Sequence, residues 1–133
     1  GFQPGEDFMG EMMQSLCLFW YASSPEITTF GAAHTRQSNG TNVAVLYYQP
    51  GLRSGWFSVN PGDHVNENPD SQTNPFPTLM VITRGSGIAR LDGEDHVLSE
   101  GQSLYVPAGM RHEFLNHSDA PMEGILLMFG DGA

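Results

Sequence analysis

GQSLYVPAGMRHEFLN, residues 101–116, holds a short apolar strand, a Pro-Ala-Gly break, and a second strand that opens on a histidine. Proline removes a ladder donor and glycine permits positive φ, so Pro107-Ala108-Gly109 bends or reverses the chain between two strands. Strand alternation then puts His112, Phe114 and Asn116 on one face and Glu113 and Leu115 on the other. If the first face is the inner one, His112 enters the mouth of whatever the strands enclose.

The same grammar runs outward in both directions. VAVLYY (43–48) reads as a strand broken by Gln49-Pro50-Gly51, and GWFSVN (55–60) as another, closed by Pro61-Gly62. TLMVITRGSGIARL reads as a hairpin of 78–84 and 88–91 around a Gly-Ser-Gly turn, and further strands lie near 96–98, 103–106, 112–116 and 124–129. Many short strands joined by turns predict an all-β sandwich or closed barrel, in which closure removes exposed edges. Between them, DHVNENPDSQTNPFP (63–77) is polar, carries three prolines and lacks periodicity. It reads as a long loop, and loops of that length are usually functional or mobile.

At 133 residues the chain fits one domain, since domains most often run to roughly 100–150 residues. Residues 1–30 read as an N-terminal arm or short helix of that same domain, and 31–133 as the barrel. In the arm Phe8, Met9, Met12, Met13 and Leu16 partly follow helical spacing, while Gly5 and Gly10 weaken it. The Gly1 start reads as a processed end or a cloning scar.

Fifteen acidic residues against five arginines and no lysine give a formal charge of −10, which repels nucleic acid and anionic membrane surfaces. Without lysine there is no Schiff-base chemistry and no lysine-held pyridoxal phosphate. No nucleotide cofactor is expected either. Cys17, the single cysteine, reads as a small buried hydrophobe. No apolar run reaches the roughly 18–20 residues of a membrane span, and the N-terminus lacks a basic start, so a cytoplasmic protein is expected.

The spacing of Gly101, Pro107, Gly109, His112 and Asn116 resembles the second motif of the cupin family, and TRGSGIARLDGEDHVLSEG is similar to the run between that family's two motifs. The resemblance covers about residues 61–128 and implies a small single-domain cupin jelly-roll barrel (a double-stranded β-helix). It implies little about the reaction, because this fold hosts many activities. In metal-binding cupins the first motif supplies two histidines and a glutamate, and the second one more histidine. Such a set suits one divalent transition metal with open positions. Counted from Gly62, the two histidine positions fall here on Asn68 and Asp70, and counted back from Gly85 the glutamate position falls on Thr78. A second registration uses His64, with Asn66 or Glu67 beside it. Oxygen ligands of this kind hold a transition metal less tightly than imidazole does.

Three functional readings follow. The first is a small-molecule-binding domain with its pocket at the barrel mouth around His112, lacking the three-histidine, one-glutamate centre. Thr78, Met80, Ile82, Tyr105, Phe114 and Met128 are its expected ligand-binding wall. The second is a metal-dependent enzyme of dioxygenase, isomerase or lyase type, with one divalent ion among His64, Asn68, Asp70 and His112. The third is metal-free acid–base catalysis by His112, with Glu67 or Asp70 orienting it. His34, His96 and His117 lie in polar turn contexts and read as surface residues. The methionine-rich arm suggests a homodimer, because an apolar stretch of that size is unusual on a monomer.

Overall fold

The computed structural model describes residues 17–19 and 23–133. Ten strands succeed one another: β1 (Thr35–Ser38), β2 (Thr41–Gln49), β3 (Leu52–Val59), β4 (His64–Val65), β5 (Thr78–Arg84), β6 (Ser86–Leu91), β7 (Glu94–Ser99), β8 (Ser103–Val106), β9 (His112–Leu115) and β10 (Met122–Phe129). They form a six-stranded sheet in the order β1-β2-β3-β10-β5-β8 and a four-stranded sheet in the order β4-β9-β6-β7. All pairings are antiparallel. The all-β jelly-roll barrel expected from the sequence is the architecture present. Among the described residues helical geometry is confined to two three-residue 3-10 turns, Ala32–His34 and Pro69–Ser71.

Period-two alternation builds the interior. In β5, Thr78, Met80 and Ile82 are buried while Leu79, Val81 and Thr83 face outward. The core gathers Phe57, Val59, Met80, Ile82 and Met122 from the larger sheet and Val65, Ala89, Leu98 and Phe114 from the smaller. Apolar residues from both sheets thus meet in one layer, the arrangement by which two packed sheets bury their inner faces.

Two local expectations are corrected. Residues 78–84 and 88–91 do not pair as a hairpin: β5 lies between β10 and β8, whereas β6 lies between β9 and β7. The chain crosses from one sheet to the other at Gly85, which takes φ +79° and approaches the Pro121 carbonyl so closely that any β-carbon would overlap it. A glycine-rich turn between two apolar runs serves a hairpin or a sheet crossing equally well, and long-range pairing decides between them. Second, residues 63–77 are not wholly irregular, because His64–Val65 form β4 against β9 and Pro69–Ser71 form one of the 3-10 turns.

Gly124 on β10 shows how tightly the neighbouring strands of the larger sheet pack. A β-carbon there would overlap the Val81 carbonyl and press on the Phe57 ring. Gly124→Ala is therefore expected to destabilise the protein by about 1–3 kcal/mol, the usual range for overpacking a core. Chemical denaturation measures this, and a change below about 0.5 kcal/mol would show that Phe57 yields freely.

Most of the arm, including the expected helix and dimer contact, lies outside the described residues. Within residues 17–19, the Leu18 and Phe19 amides donate to the Val45 and Leu46 carbonyls at 3.3 and 3.0 Å. The half-buried Cys17 thiol donates to the Leu46 carbonyl at 3.4 Å, and burial pushes its pKa up. Among the described residues no helix is long and apolar enough to cross a membrane.

Candidate functional site

Between the sheets lies a cavity of about 280 Å³. Its walls are mainly apolar: Val43, Phe57, Met80, Leu126 and Met128 come from the larger sheet, and Val65 and Phe114 from the smaller. Asn66, Ser71, Asn74 and Phe76, from the segment between β4 and β5, close one side. Polar groups are few, and they are placed by register. Thr78 lies opposite Val106 on β8 and opposite Met128 on β10, while Met128 lies opposite Arg53 on β3. Arg53, Met128, Thr78 and Val106 thus form one row across the sheet, and all four line the cavity.

His112 begins β9 and is 6% exposed. Its amide donates to the Gln72 carbonyl at 2.9 Å, and the Gly109 amide donates to the Asn74 carbonyl at 2.8 Å. Two main-chain bonds therefore fasten the proline-rich segment to the Pro107–Gly109 bend. The ring packs against Phe114 with centroids 5.9 Å apart, and Nδ1 lies 3.1 Å from the Met110 carbonyl oxygen. A carbonyl only accepts, so Nδ1 is the donor and Nε2 of the neutral ring keeps the lone pair. The bend at 107–109 thus aims the histidine inward and fixes its tautomer.

His64 points the other way. Val65 lines the cavity, and alternation turns His64 to the outer face, where Nε2 is 2.8 Å from Glu113 Oε1 and Nδ1 is 4.0 Å from Glu67 Oε1. His64, Glu67 and Asn68 border a separate, open depression. The Asn68 side chain caps the short turn by accepting from the Asp70 amide at 3.0 Å, and Asp70 is exposed. The structure therefore does not bring His64, Asn68 or Asp70 to His112, nor Glu67, whose side chain is 78% exposed. The Met110 carbonyl, and not a carboxylate, orients the His112 ring.

Of the expected ligand-binding residues, Thr78, Met80, Phe114 and Met128 line the cavity. Ile82 is buried deeper in the core, outside the lining. Tyr105 is 54% exposed and packs on Phe129, at 6.5 Å between centroids, on the outer face. The reason is phase: Val106 faces inward, so its neighbour faces out. Arg53 went unnoticed in the sequence, although it is in step with the inward-facing Gly55, Phe57 and Val59. Its guanidinium carbon lies 5.3 Å from the Tyr48 ring centroid and 5.1 Å from that of Phe76, and Nη2 donates to the Gly132 carbonyl at 3.2 Å.

The donor set decides whether a metal fits. Among the described residues, those lining the cavity include one imidazole, one arginine, hydroxyls and amides, but no carboxylate or second imidazole. Among the described residues no group of three or more His, Cys, Asp or Glu is arranged to hold a metal ion. Thr78 occupies the position that the family resemblance gives to glutamate. These residues do not fit a three-histidine, one-glutamate centre.

The sequence pattern of the Cupin domain matches residues 55–128. A comparison with curated proteins by sequence finds no match. Among solved structures, the chain is similar to a Cupin 2 conserved barrel domain protein from Salinispora arenicola, at 21% identity and TM-score 0.69, over 80% of this chain and 90% of that one. It is also similar to a predicted oxalate decarboxylase from Thermotoga maritima, at 16% identity and TM-score 0.59, over 67% and 79% of the two chains. A sugar phosphate isomerase of the cupin superfamily from Silicibacter pomeroyi matches at 19% identity and TM-score 0.55, over 68% and 60%. At these identities the likeness is one of fold.

Proposed function

Because the chain belongs to the Cupin domain family, whose fold houses both binding proteins and enzymes, we propose that it binds a small organic molecule in the cavity beside His112, without a three-histidine, one-glutamate metal centre. The observation that carries this reading is the cavity's make-up. Apolar walls surround a few convergent polar groups, and the Thr78 hydroxyl is buried with no hydrogen-bond partner among the described residues. A small-molecule site has this composition, and a buried hydroxyl without a partner costs about 1–3 kcal/mol unless something answers it. A ligand acceptor or donor would. His112 Nε2 adds an acceptor for a ligand N–H or O–H. The homodimer remains part of this reading, and a monomeric molar mass in solution would remove it.

A small-molecule library screened by thermal shift tests the proposal. A compound held at 100 times its Kd adds about 2.7 kcal/mol of stability. That gain is expected to vanish in Leu126→Trp, which places an indole in the cavity. Equal protection of Leu126→Trp would locate the ligand elsewhere. One tightly held transition metal per chain in freshly purified protein, lost in His112→Ala, would overturn the metal-free reading.

A further inference from the structure

Two polar side chains in the cavity wall are buried with an unused hydrogen-bonding group. Thr78 and His112 are 5% and 6% exposed, and both line the cavity. The Thr78 hydroxyl makes no hydrogen bond among the described residues. His112 gives its Nδ1 proton to the Met110 carbonyl, and its Nε2 has no partner among the described residues. Thr78 lies opposite Val106, the last residue before the Pro107–Gly109 bend, and His112 opens the strand that leaves that bend. Both side chains therefore serve the bend end of the cavity. Nε2 requires a donor, and the Thr78 hydroxyl has a hydrogen to give. A hydroxyl is the smallest group that answers both, because its hydrogen goes to Nε2 while its oxygen accepts from Thr78. The rest of the wall suits an aromatic body. It holds the rings of Phe57, Phe76 and Phe114 and the thioethers of Met80 and Met128, and both kinds of group make favourable contacts with a guest ring. A cavity of roughly 150 Å³ accepts benzene. The larger volume here, about 280 Å³, admits a ring with a few further carbons or a fused pair of rings.

We propose that the ligand is a small uncharged phenol, its O–H donated to His112 Nε2, its oxygen accepting from Thr78, and its ring lying among Phe57, Met80 and Phe114. This rests on the cavity-binding reading above. A purely apolar guest would fill the same volume but leave both polar groups desolvated and unanswered, which costs affinity. A methyl ether keeps the ring and the accepting oxygen and has no hydrogen to give. A carboxylate has none either, and it also brings a charge into an apolar wall. The phenolic hydrogen is therefore what the site selects.

The test uses the full chain carrying 13C-methyl methionine, so that Met80 and Met128 report cavity occupancy. The probes 4-ethylphenol and 2-naphthol are titrated beside their methyl ethers and 4-ethylbenzoate. The phenols are expected to shift both methionines and to bind about three- to tenfold tighter than their ethers, the ratio that one hydrogen bond gives. His112→Phe should bring that ratio to about one or below, and His112→Gln, whose amide oxygen accepts, should keep part of it. Thr78→Val should weaken phenols and ethers alike about three- to tenfold, and yet leave the unliganded chain at least as heat-stable, since valine has the same shape and removes an unanswered hydroxyl. Should His112→Phe fail to fold, His112→Gln and Thr78→Val decide. A merely structural His112 would change stability and leave the ratio alone. A merely structural Thr78 would lose stability in the valine variant and keep its affinity. Ethers or 4-ethylbenzoate binding as tightly as the phenols, or an unchanged ratio in the folded His112 variants, overturns the phenol assignment while the cavity-binding reading stands. If none of these probes moves Met80 or Met128, the phenol assignment falls, and the cavity-binding reading falls with it unless the library screen yields a compound that Leu126→Trp excludes.

Discussion

Asn116→Ala is expected to destabilise the protein by about 3–5 kcal/mol, the largest effect of any single polar substitution in the barrel. The side chain is fully buried. Its amide donates to the Val59 and Ala120 carbonyls, both at 2.8 Å, and its oxygen accepts from the Ser118 amide at 2.9 Å and the Ser118 hydroxyl at 2.6 Å. One amide thus joins the end of β3, the end of β9 and the turn before β10. Alanine removes the bonds to the Val59 carbonyl and the Ser118 amide, at about 1–3 kcal/mol each, while the Ala120 carbonyl keeps the Ser118 hydroxyl at 2.8 Å. Urea denaturation should show a lower midpoint at unchanged slope, and the melting temperature should drop by roughly 10–25 °C. A loss below about 1 kcal/mol would mean that the turn finds other partners.

The second large effect belongs to Phe114→Ala, at about 3–5 kcal/mol, the usual cost of removing a core phenyl ring. Phe114 sits in the core cluster, touches the His112 ring and walls the cavity, so its loss enlarges a space that already exists. Apolar cavities opened in this way stay dry and accept benzene. Millimolar benzene should therefore raise the melting temperature of Phe114→Ala more than that of the wild type. Equal response of the two proteins would show that the cavity has collapsed around the deletion.

Residues 101–116 made the fold legible because proline, glycine and strand alternation act locally. Each restricts its own backbone or its neighbours, and the barrel follows from repeating them. The β5–β6 connection was illegible for the opposite reason: Gly85-Ser86-Gly87 permits two outcomes, and partners some twenty to fifty residues away choose between them. The site was half legible. Thr78, Met80 and His112 were found from alternation and motif spacing. His64 misled because β4 is two residues long, too short to display a phase, and only its pairing with β9 shows Val65 turning inward. Arg53 was passed over because the sequence places the start of this strand at Gly55, whereas β3 begins at Leu52 and puts Arg53 in step with Phe57 and Val59.

The two carbonyls of the proline-rich segment that receive the His112 and Gly109 amides have a kinetic meaning. One side of the cavity is a loop held by main-chain bonds rather than a sheet, so its exposure to solvent is governed by how often those bonds open. The amides of His112 and Gly109 are thus clocks for that opening. Their deuterium uptake times the release of the loop, and a guest resting on Asn74 or Phe76 slows both clocks together while leaving the amides of β6 and β7 at their own pace.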